Sequence, residues 1–382
     1  MTVPDVTIGV IGGGQLGRML AESASPLGIE IVVLDPTPSC PASLPAADQI
    51  VADFDDASAV GALAERSDVV TLEIELADPD ALAATAETTG TPVHPAPSDL
   101  RITRDKLEEK KALDAAGVPV PAYRRVDERA DLESAFDELG RPLMLKARRG
   151  GYDGRGNAVV DERRSAEDVF GSLSGLIAEE LLDFERELSV IGAIGDGETA
   201  TFPVAENVHE AEILRESIVP ARTSESVRSE ATATARAVLE VLQGRGVFGI
   251  ELFETRDGAI LVNEIAPRPH NSGHYTIEGA VTSQFEQHAR AVLGLPLGTT
   301  ELRAPTVMVN VLGDEGPTRG VSLRGTSSLL GQRGVHFHWY GKREVRPLRK
   351  LGHVTVTGSD REDLIERARR ARETLTFAGS GD

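Results

Sequence analysis

Cysteine is almost absent: Cys40 is the only one in 382 residues. An intrachain disulfide is therefore excluded, as expected of a protein working in the reducing cytoplasm. No apolar run approaches the ~18–20 residues of a membrane span. No basic segment precedes the apolar stretch near Met1, which argues against a signal peptide. Positive charge is short as well. Forty Lys and Arg stand against 61 Asp and Glu, a net charge of −21, and a general nucleic-acid binder needs a basic face. Lysine is the scarcest part of that deficit, with only Lys106, Lys110, Lys111, Lys146, Lys342 and Lys350. An acidic, lysine-poor surface stays soluble where salt screens charge, so the composition predicts a halophilic source. A lysine kept in such a chain is expected where arginine cannot replace it.

What is present is ordinary globular material, 40% hydrophobic and 26% charged, long enough for two or three domains. The segment 6–11 reads as a buried strand, followed by Gly12-Gly13-Gly14-Gln15-Leu16-Gly17, a helix over 18–27 and a second apolar strand over 29–34 ending at Asp35. Such a strand–turn–helix–strand unit starts a parallel sheet. A further strand is expected over 68–74, and Pro92, Pro95 and Pro97 mark a first boundary. Beyond it the pattern predicts helices over 99–116, 226–243 and 276–293. Strands are expected over 143–147, 157–161, 177–182, 187–193, 247–253 and 259–265. A short-stranded end closes with a charged helix over 361–373. No internal repeat or low-complexity segment is found.

Three stretches carry chemistry. Gly12, Gly14 and Gly17 match G-x-G-x-x-G, with Asp35 at a suitable distance. That leaves open a dinucleotide site or a tight turn of any doubly wound domain. The run from Lys146 to Asn157 is a glycine-rich hairpin, not a P-loop. It reads as a flap that donates N–H groups to a polyphosphate, with Lys146 as a point charge, or as a plain exposed hairpin. Taking Asp257-Gly258 as a two-residue turn pairs Leu252 with Asn263 and Glu251 with Glu264. Two carboxylates so opposed repel unless a cation joins them, and oxygen ligands with Asn263 alongside suggest Mg²⁺ or Mn²⁺ shared with phosphates. Solvated glutamates on an edge hairpin are the plain alternative. The loop from Ala266 to His274 gathers Arg268, His270, Asn271 and Ser272 just beyond, and its prolines exclude the helix a His270/His274 zinc site would need. The basic run from Lys342 to Lys350 is either a salt-bridged surface or a phosphate clamp.

Together these segments resemble the ATP-grasp superfamily and, within it, the N5-carboxyaminoimidazole ribonucleotide synthetase family. The matching stretches are IGGGQLGRM (11–19), GGYDGRGN (150–157), FERELSV (184–190), FGIELF (248–253), NEIAPRPHNSGH (263–274) and RKLGH (349–353). The segment TLEIEL (71–76) departs from the family's TYEFEN. The resemblance implies a mixed α/β and α+β fold in three parts: a Rossmann-like domain over 1–98, an ATP-grasp domain over 99–300 with a lid over 117–182, and a small C-terminal domain over 301–382. It implies an ATP- and bicarbonate-dependent ligase acting on 5-aminoimidazole ribonucleotide in purine biosynthesis, a cytoplasmic homodimer that binds neither nucleic acid nor membrane. For ATP it implies Lys106, Lys146, the lid Gly151, Tyr152, Asp153, Gly154, Arg155, Gly156 and Asn157, and the hinge Glu179, Glu180, Leu181 and Leu182. Glu187, His209, Asn263 and Glu264 complete that set. For the ribonucleotide it implies Gln15, Leu16, Glu73, Asp153, Arg155, His270, Asn271, Lys342 and Arg349. Glu73, Tyr152, Arg155 and Arg268 would serve catalysis, and Glu251 and Glu264 would hold Mg²⁺ or Mn²⁺. A nicotinamide-dependent dehydrogenase and a catalytically idle nucleotide binder are the readings from other classes.

Overall fold

The computed structural model describes residues 5–150 and 156–378. The first part is a parallel sheet in the order β3 (Asp48–Ile50), β2 (Ile29–Leu34), β1 (Val6–Ile11), β4 (Val69–Leu72). Its strands are almost wholly apolar because helices cover both faces. Ile8, Val10, Val33 and Val70 are fully buried. Register pairs Ile11 with both Leu34 and Leu72. The residues that follow, Gly12, Asp35 and Glu73, therefore meet at the carboxyl edge, where open α/β sheets bind ligands. The first helix spans Gln15–Ala24, starting inside the glycine turn rather than at Arg18.

A second, antiparallel sheet of four strands comprises β5 (Tyr123–Val126), β6 (Leu143–Ala147), β7 (Asn157–Val160) and β8 (Leu176–Glu180), in the order β5-β8-β6-β7. The largest sheet contains β9 (Phe184–Ile194), β10 (Thr199–Thr201), β11 (Ala205–Glu210), β12 (Ile213–Val219), β13 (Gly246–Thr255), β14 (Ile260–Ala266) and β15 (Thr306–Leu312). It runs β14-β13-β9-β11-β12-β15 and continues through the strands Lys350–Thr357 and Val335–Trp339. The C-terminal strands thus extend the central sheet across residue 300. One face of this sheet, with Leu188, Val190, Ile250, Leu252 and Val262, is sealed by the helix Glu225–Val241. The opposite face of the same strands is left for chemistry.

Two expected helices are each divided. The one expected over 99–116 is Pro97–Thr103 followed by Lys106–Ala115. The break falls at Asp105, whose carboxylate caps the second helix by accepting from Leu107 N–H at 3.1 Å. The one expected over 276–293 is Thr276–Gly279 and Gln284–Val292, restarted by Ser283, whose hydroxyl accepts from Glu286 N–H at 3.1 Å. Strands β11 and β12 went unmarked by composition, although β11 carries His209.

Candidate active site

The glycine turn is occupied by the chain's own acids. Glu73 accepts from Gly14 N–H and, at 2.6 Å, from Gly17 N–H. Asp35 accepts from Gly13 N–H at 2.9 Å. A Cβ on Gly14 would lie 2.5 Å from Glu73 Oε1, so only glycine admits this approach. The donors that a pyrophosphate would need are already taken, which disfavours a dinucleotide there. Burial pushes the Glu73 carboxyl above its ordinary range. Gln15 and Leu16 open the helix beside it.

The hairpin of β13 and β14 brings Glu251 opposite Glu264, as the sequence predicts, but by a different path. The turn is one residue wider than the Asp-Gly pair suggests: Thr255 N–H donates to Ala259 O at 3.0 Å, and Glu254 opposes Ile260. Leu252 consequently pairs with Val262, not with Asn263. A β-bulge at Asn263 then restores the register, and Glu251 pairs with Glu264. A bulge sets two residues against one. Asn263 and Glu264 both engage the site side, while Val262 stays in the core.

Around this pair the charges interlock. Lys106 Nζ forms an ion pair with Glu264, and Lys146 Nζ meets Asn263 Oδ1 at 3.1 Å and Glu179 at 2.7 Å. Lys106 holds Glu264 well below the usual carboxylate range. Burial, aided by the facing Glu264, pushes Glu251 up to about 7. His270 Nε2 lies 3.2 Å from Glu251, and burial beside Arg268 keeps His270 neutral, at about 3. On the neighbouring strands His209 Nδ1 sits 2.9 Å from Glu187. Burial opposes protonation of His209, but the Glu187 carboxylate outweighs it and raises the imidazole pKa. Among the described residues no three His, Cys, Asp or Glu side chains form a metal cluster. Two carboxylates and an amide oxygen make an incomplete shell, which suits a divalent ion that takes its other ligands from phosphates and water.

The remaining expected residues divide. Arg268 Nε pairs with Glu75 at 2.8 Å, across to the first domain. Asn271 is buried and spends its amide on Asn310, accepting at 2.6 Å and donating at 3.2 Å, so it clasps the loop to β15. Glu179 is buried against Lys110 and Lys146, in a strand paired on both sides. Glu180 accepts from Ala122 N–H at 2.9 Å, and Leu181 is exposed. Lys342 Nζ donates to Lys350 O at 2.8 Å and Arg349 to Glu344 O at 3.1 Å, so both come from one crossed loop. Gly151, Tyr152, Asp153, Gly154 and Arg155 lie outside the described residues. Gly156 O accepts from Ala147 N–H at 2.7 Å, and Asn157 pairs with Lys146, closing the base of that flap. Sequence reasoning missed Asp105, which binds Arg148 through two contacts of 2.7 and 2.9 Å and so ties the flap's base to the helix bearing Lys106. It also gave no site role to Glu109 and Lys110, although Lys110 is one of the chain's six lysines and both stand one turn after Lys106.

Residues 6–104 match the ribonucleotide synthetase preATP-grasp domain, 111–285 the ATP-grasp domain, and 306–367 the phosphoribosylaminoimidazole carboxylase C-terminal domain. The N5-carboxyaminoimidazole ribonucleotide synthase of Bacillus subtilis is 42% identical over 95% of this chain and 94% of its own length. The chain belongs to the N5-carboxyaminoimidazole ribonucleotide synthase family. The synthetase of Thermotoga maritima has a crystal structure with a TM-score of 0.89 and 43% identity, covering 98% of this chain and all of that one. A second, from Aspergillus clavatus, was solved with ADP and 5-aminoimidazole ribonucleotide; its TM-score is 0.88 at 35% identity, over 96% of this chain and 98% of that one. No helix among the described residues is long and apolar enough to cross a membrane.

Proposed function

We propose that the chain joins carbonate carbon to the exocyclic amine of 5-aminoimidazole ribonucleotide, consuming ATP and bicarbonate and releasing ADP and phosphate, as a step of purine biosynthesis. The observation that carries this reading is the convergence of Lys106, Lys146, Glu251, Asn263 and Glu264 on one face of the hairpin. Bicarbonate is a poor electrophile. Its oxygen takes the γ-phosphoryl group of ATP, giving carboxyphosphate and ADP. The amine then forms the N–C bond, either displacing phosphate from carboxyphosphate or adding to the CO₂ left once phosphate has departed, and gives up its proton.

Lys106 and Lys146 bind and orient the phosphates and offset charge on the transferring group. Glu251, Glu264 and Asn263 would hold a divalent ion, Mg²⁺ or Mn²⁺, which supplies charge neutralisation between the phosphates. Glu187 and His209 line the nucleoside side, with the backbone of residues 179–182 for adenine. The carboxyphosphate intermediate hydrolyses, so residues 151–157 are assigned to keep water out. Glu73, His270, Lys342 and Arg349 are assigned to the ribonucleotide, and Arg268, Tyr152 and Arg155 to catalysis with Glu73. The divisions near 98 and 300 and a homodimer belong to the same reading, the latter checked by sedimentation.

ATP hydrolysis measured with each co-substrate omitted is the test: turnover should need both. Stimulation by formate and glycinamide ribonucleotide, with none by aminoimidazole ribonucleotide, would reassign the substrate. The charge of −21 supports a salty working environment. The same assay in dilute and in molar salt checks it, and equal rates in both dismiss it.

A further inference from the structure

The bulge at Asn263 is what brings Asn263 and Glu264 to one side of the hairpin, and a single helix face grips it. In Lys106–Ala115, residues 106, 109 and 110 are three and four apart and so share a side. All three reach β14 around the bulge. Lys106 meets the Glu264 carboxylate, Glu109 accepts from Ile265 N–H at 3.1 Å, and Lys110 Nζ donates to Val262 O at 2.8 Å and Asn263 O at 2.7 Å. Lys110 is only 1% exposed. An ammonium taken out of water is costly unless fully bonded. Here it spends itself on two successive carbonyls at a point where the extra residue disrupts the ladder, with Glu179 at 3.7 Å to balance its charge. A compact, tetrahedral donor fits two such carbonyls, whereas a planar guanidinium would not.

We propose that Lys110 is a positioning residue: it pins the bulge at Asn263, and so keeps Asn263 and Glu264 facing Glu251 and the two phosphate lysines. Its effect on metal use rests on the assignment of Glu251 and Glu264 as metal ligands, whereas the pin itself does not. The pin's hydrogen bonds all run to the strand that carries Asn263 and Glu264, so its loss is felt at the metal and the phosphates first.

The test is Lys110→Met, which keeps the bulk of the stem and removes the donors. The matched control is Val238→Ala, a buried position in the helix Glu225–Val241 under the same sheet. In metal-free protein, hydrogen exchange of a peptide spanning 258–267 should run at least tenfold faster in Lys110→Met than in wild type, with 188–193 unchanged. The Mg²⁺ concentration for half-maximal turnover should rise at least tenfold, and the KM for aminoimidazole ribonucleotide should stay within twofold. Val238→Ala should lower Tm without either local change. If Lys110→Met behaves like Val238→Ala, the pin is overturned. If exchange quickens locally while the Mg²⁺ response is flat, the metal assignment fails and the pin stands. Should the methionine variant not fold, Lys110→Gln, whose shorter arm cannot reach both carbonyls, carries the same expectations.

Discussion

Two acidic sites in this chain, one just past the ends of parallel strands and one within a hairpin, differ in what the protein has done with their charge. At the glycine turn, Glu73 and Asp35 accept from three backbone N–H groups, those of Gly13, Gly14 and Gly17. That carboxylate pair is satisfied internally. At the hairpin, Glu251 and Glu264 face each other across a ladder. One is held low by Lys106 and the other is driven up to about 7 by burial and by its neighbour. The first pair spends its acceptors on the turn's own backbone, whereas the second faces two lysines and a neighbouring carboxylate. Carboxylates held by the turn's own N–H groups have a fixed place, whereas a pair facing each other is where a cation is expected.

Substitutions at the two sites should therefore fail in opposite ways. Glu264→Gln should lower turnover by two or more orders of magnitude with Tm little changed, because a preorganised contact at a transferring phosphate is worth roughly 3–4 kcal/mol. Glu251→Gln should match it, and the double variant should be scarcely worse than the worse single. Wild-type rates in either would break the comparison. Glu73→Gln should do the reverse in the metal response. One N–H of the turn would then face an amide NH₂, an unmade buried bond that costs roughly 1–3 kcal/mol. Thermal melting should show that loss while the half-saturating Mg²⁺ stays put. A shift in Mg²⁺ dependence instead would mean that the turn is part of the metal site.

The basic loop sharpens the same contrast with a smaller effect. Lys342 and Arg349 cross through Lys350 O and Glu344 O, and burial lowers the guanidinium pKa of Arg349. Read as a clamp on the ribonucleotide phosphate, they contribute binding energy remote from the chemistry. Lys342→Ala or Arg349→Ala should raise the KM for the ribonucleotide about tenfold, ~1.4 kcal/mol, and leave the KM for ATP level. Arg349→Lys should also be impaired if the fork binds in two places. A rise in the ATP KM alone would move both residues to the other substrate.

How much of this was legible depends on whether the signal was local. Strands Val6–Ile11 and Ile29–Leu34 match their expected limits because buried parallel strands are continuous apolar runs. The helix Arg361–Glu373 does so because Asp360 caps it. The Glu251–Glu264 pairing was reached through two offsetting displacements: the wider turn shifts the register by one residue, and the bulge at Asn263 shifts it back. Alternation of polar and apolar residues carries no mark of either. Lys110 and Glu109 were not legible as site residues, since nothing local distinguishes them from the exposed Lys111 beside them. Only the tertiary meeting of the helix with β14 gives them a task. The resemblance singled out Lys106 and Lys146, which meet Glu264 and Asn263; it also named Asn271, whose amide closes on Asn310.

Glu109 offers the smallest and most selective test. Its Oε2 accepts from Ile265 N–H, its Oε1 has no hydrogen-bond partner among the described residues, and burial, only partly offset by Lys110 and Lys106, pushes its carboxyl up to about 8. An unfolded chain would titrate it near ~4.3. Between those values the folded protein holds a proton that the unfolded one has lost, so the stability this group contributes is complete at low pH and is lost as pH rises towards 8. Gln at 109 keeps an acceptor for Ile265 N–H and does not titrate. The Tm of Glu109→Gln minus that of wild type should therefore climb by a few degrees from pH 5 to pH 8, in metal-free protein, since other groups titrate alike in both and cancel. A flat difference would show that Lys106 and Lys110 keep Glu109 ionised throughout. The helix face around the bulge would then resemble the glycine turn, where the protein satisfies its own charge, more closely than the carboxylate pair beside it.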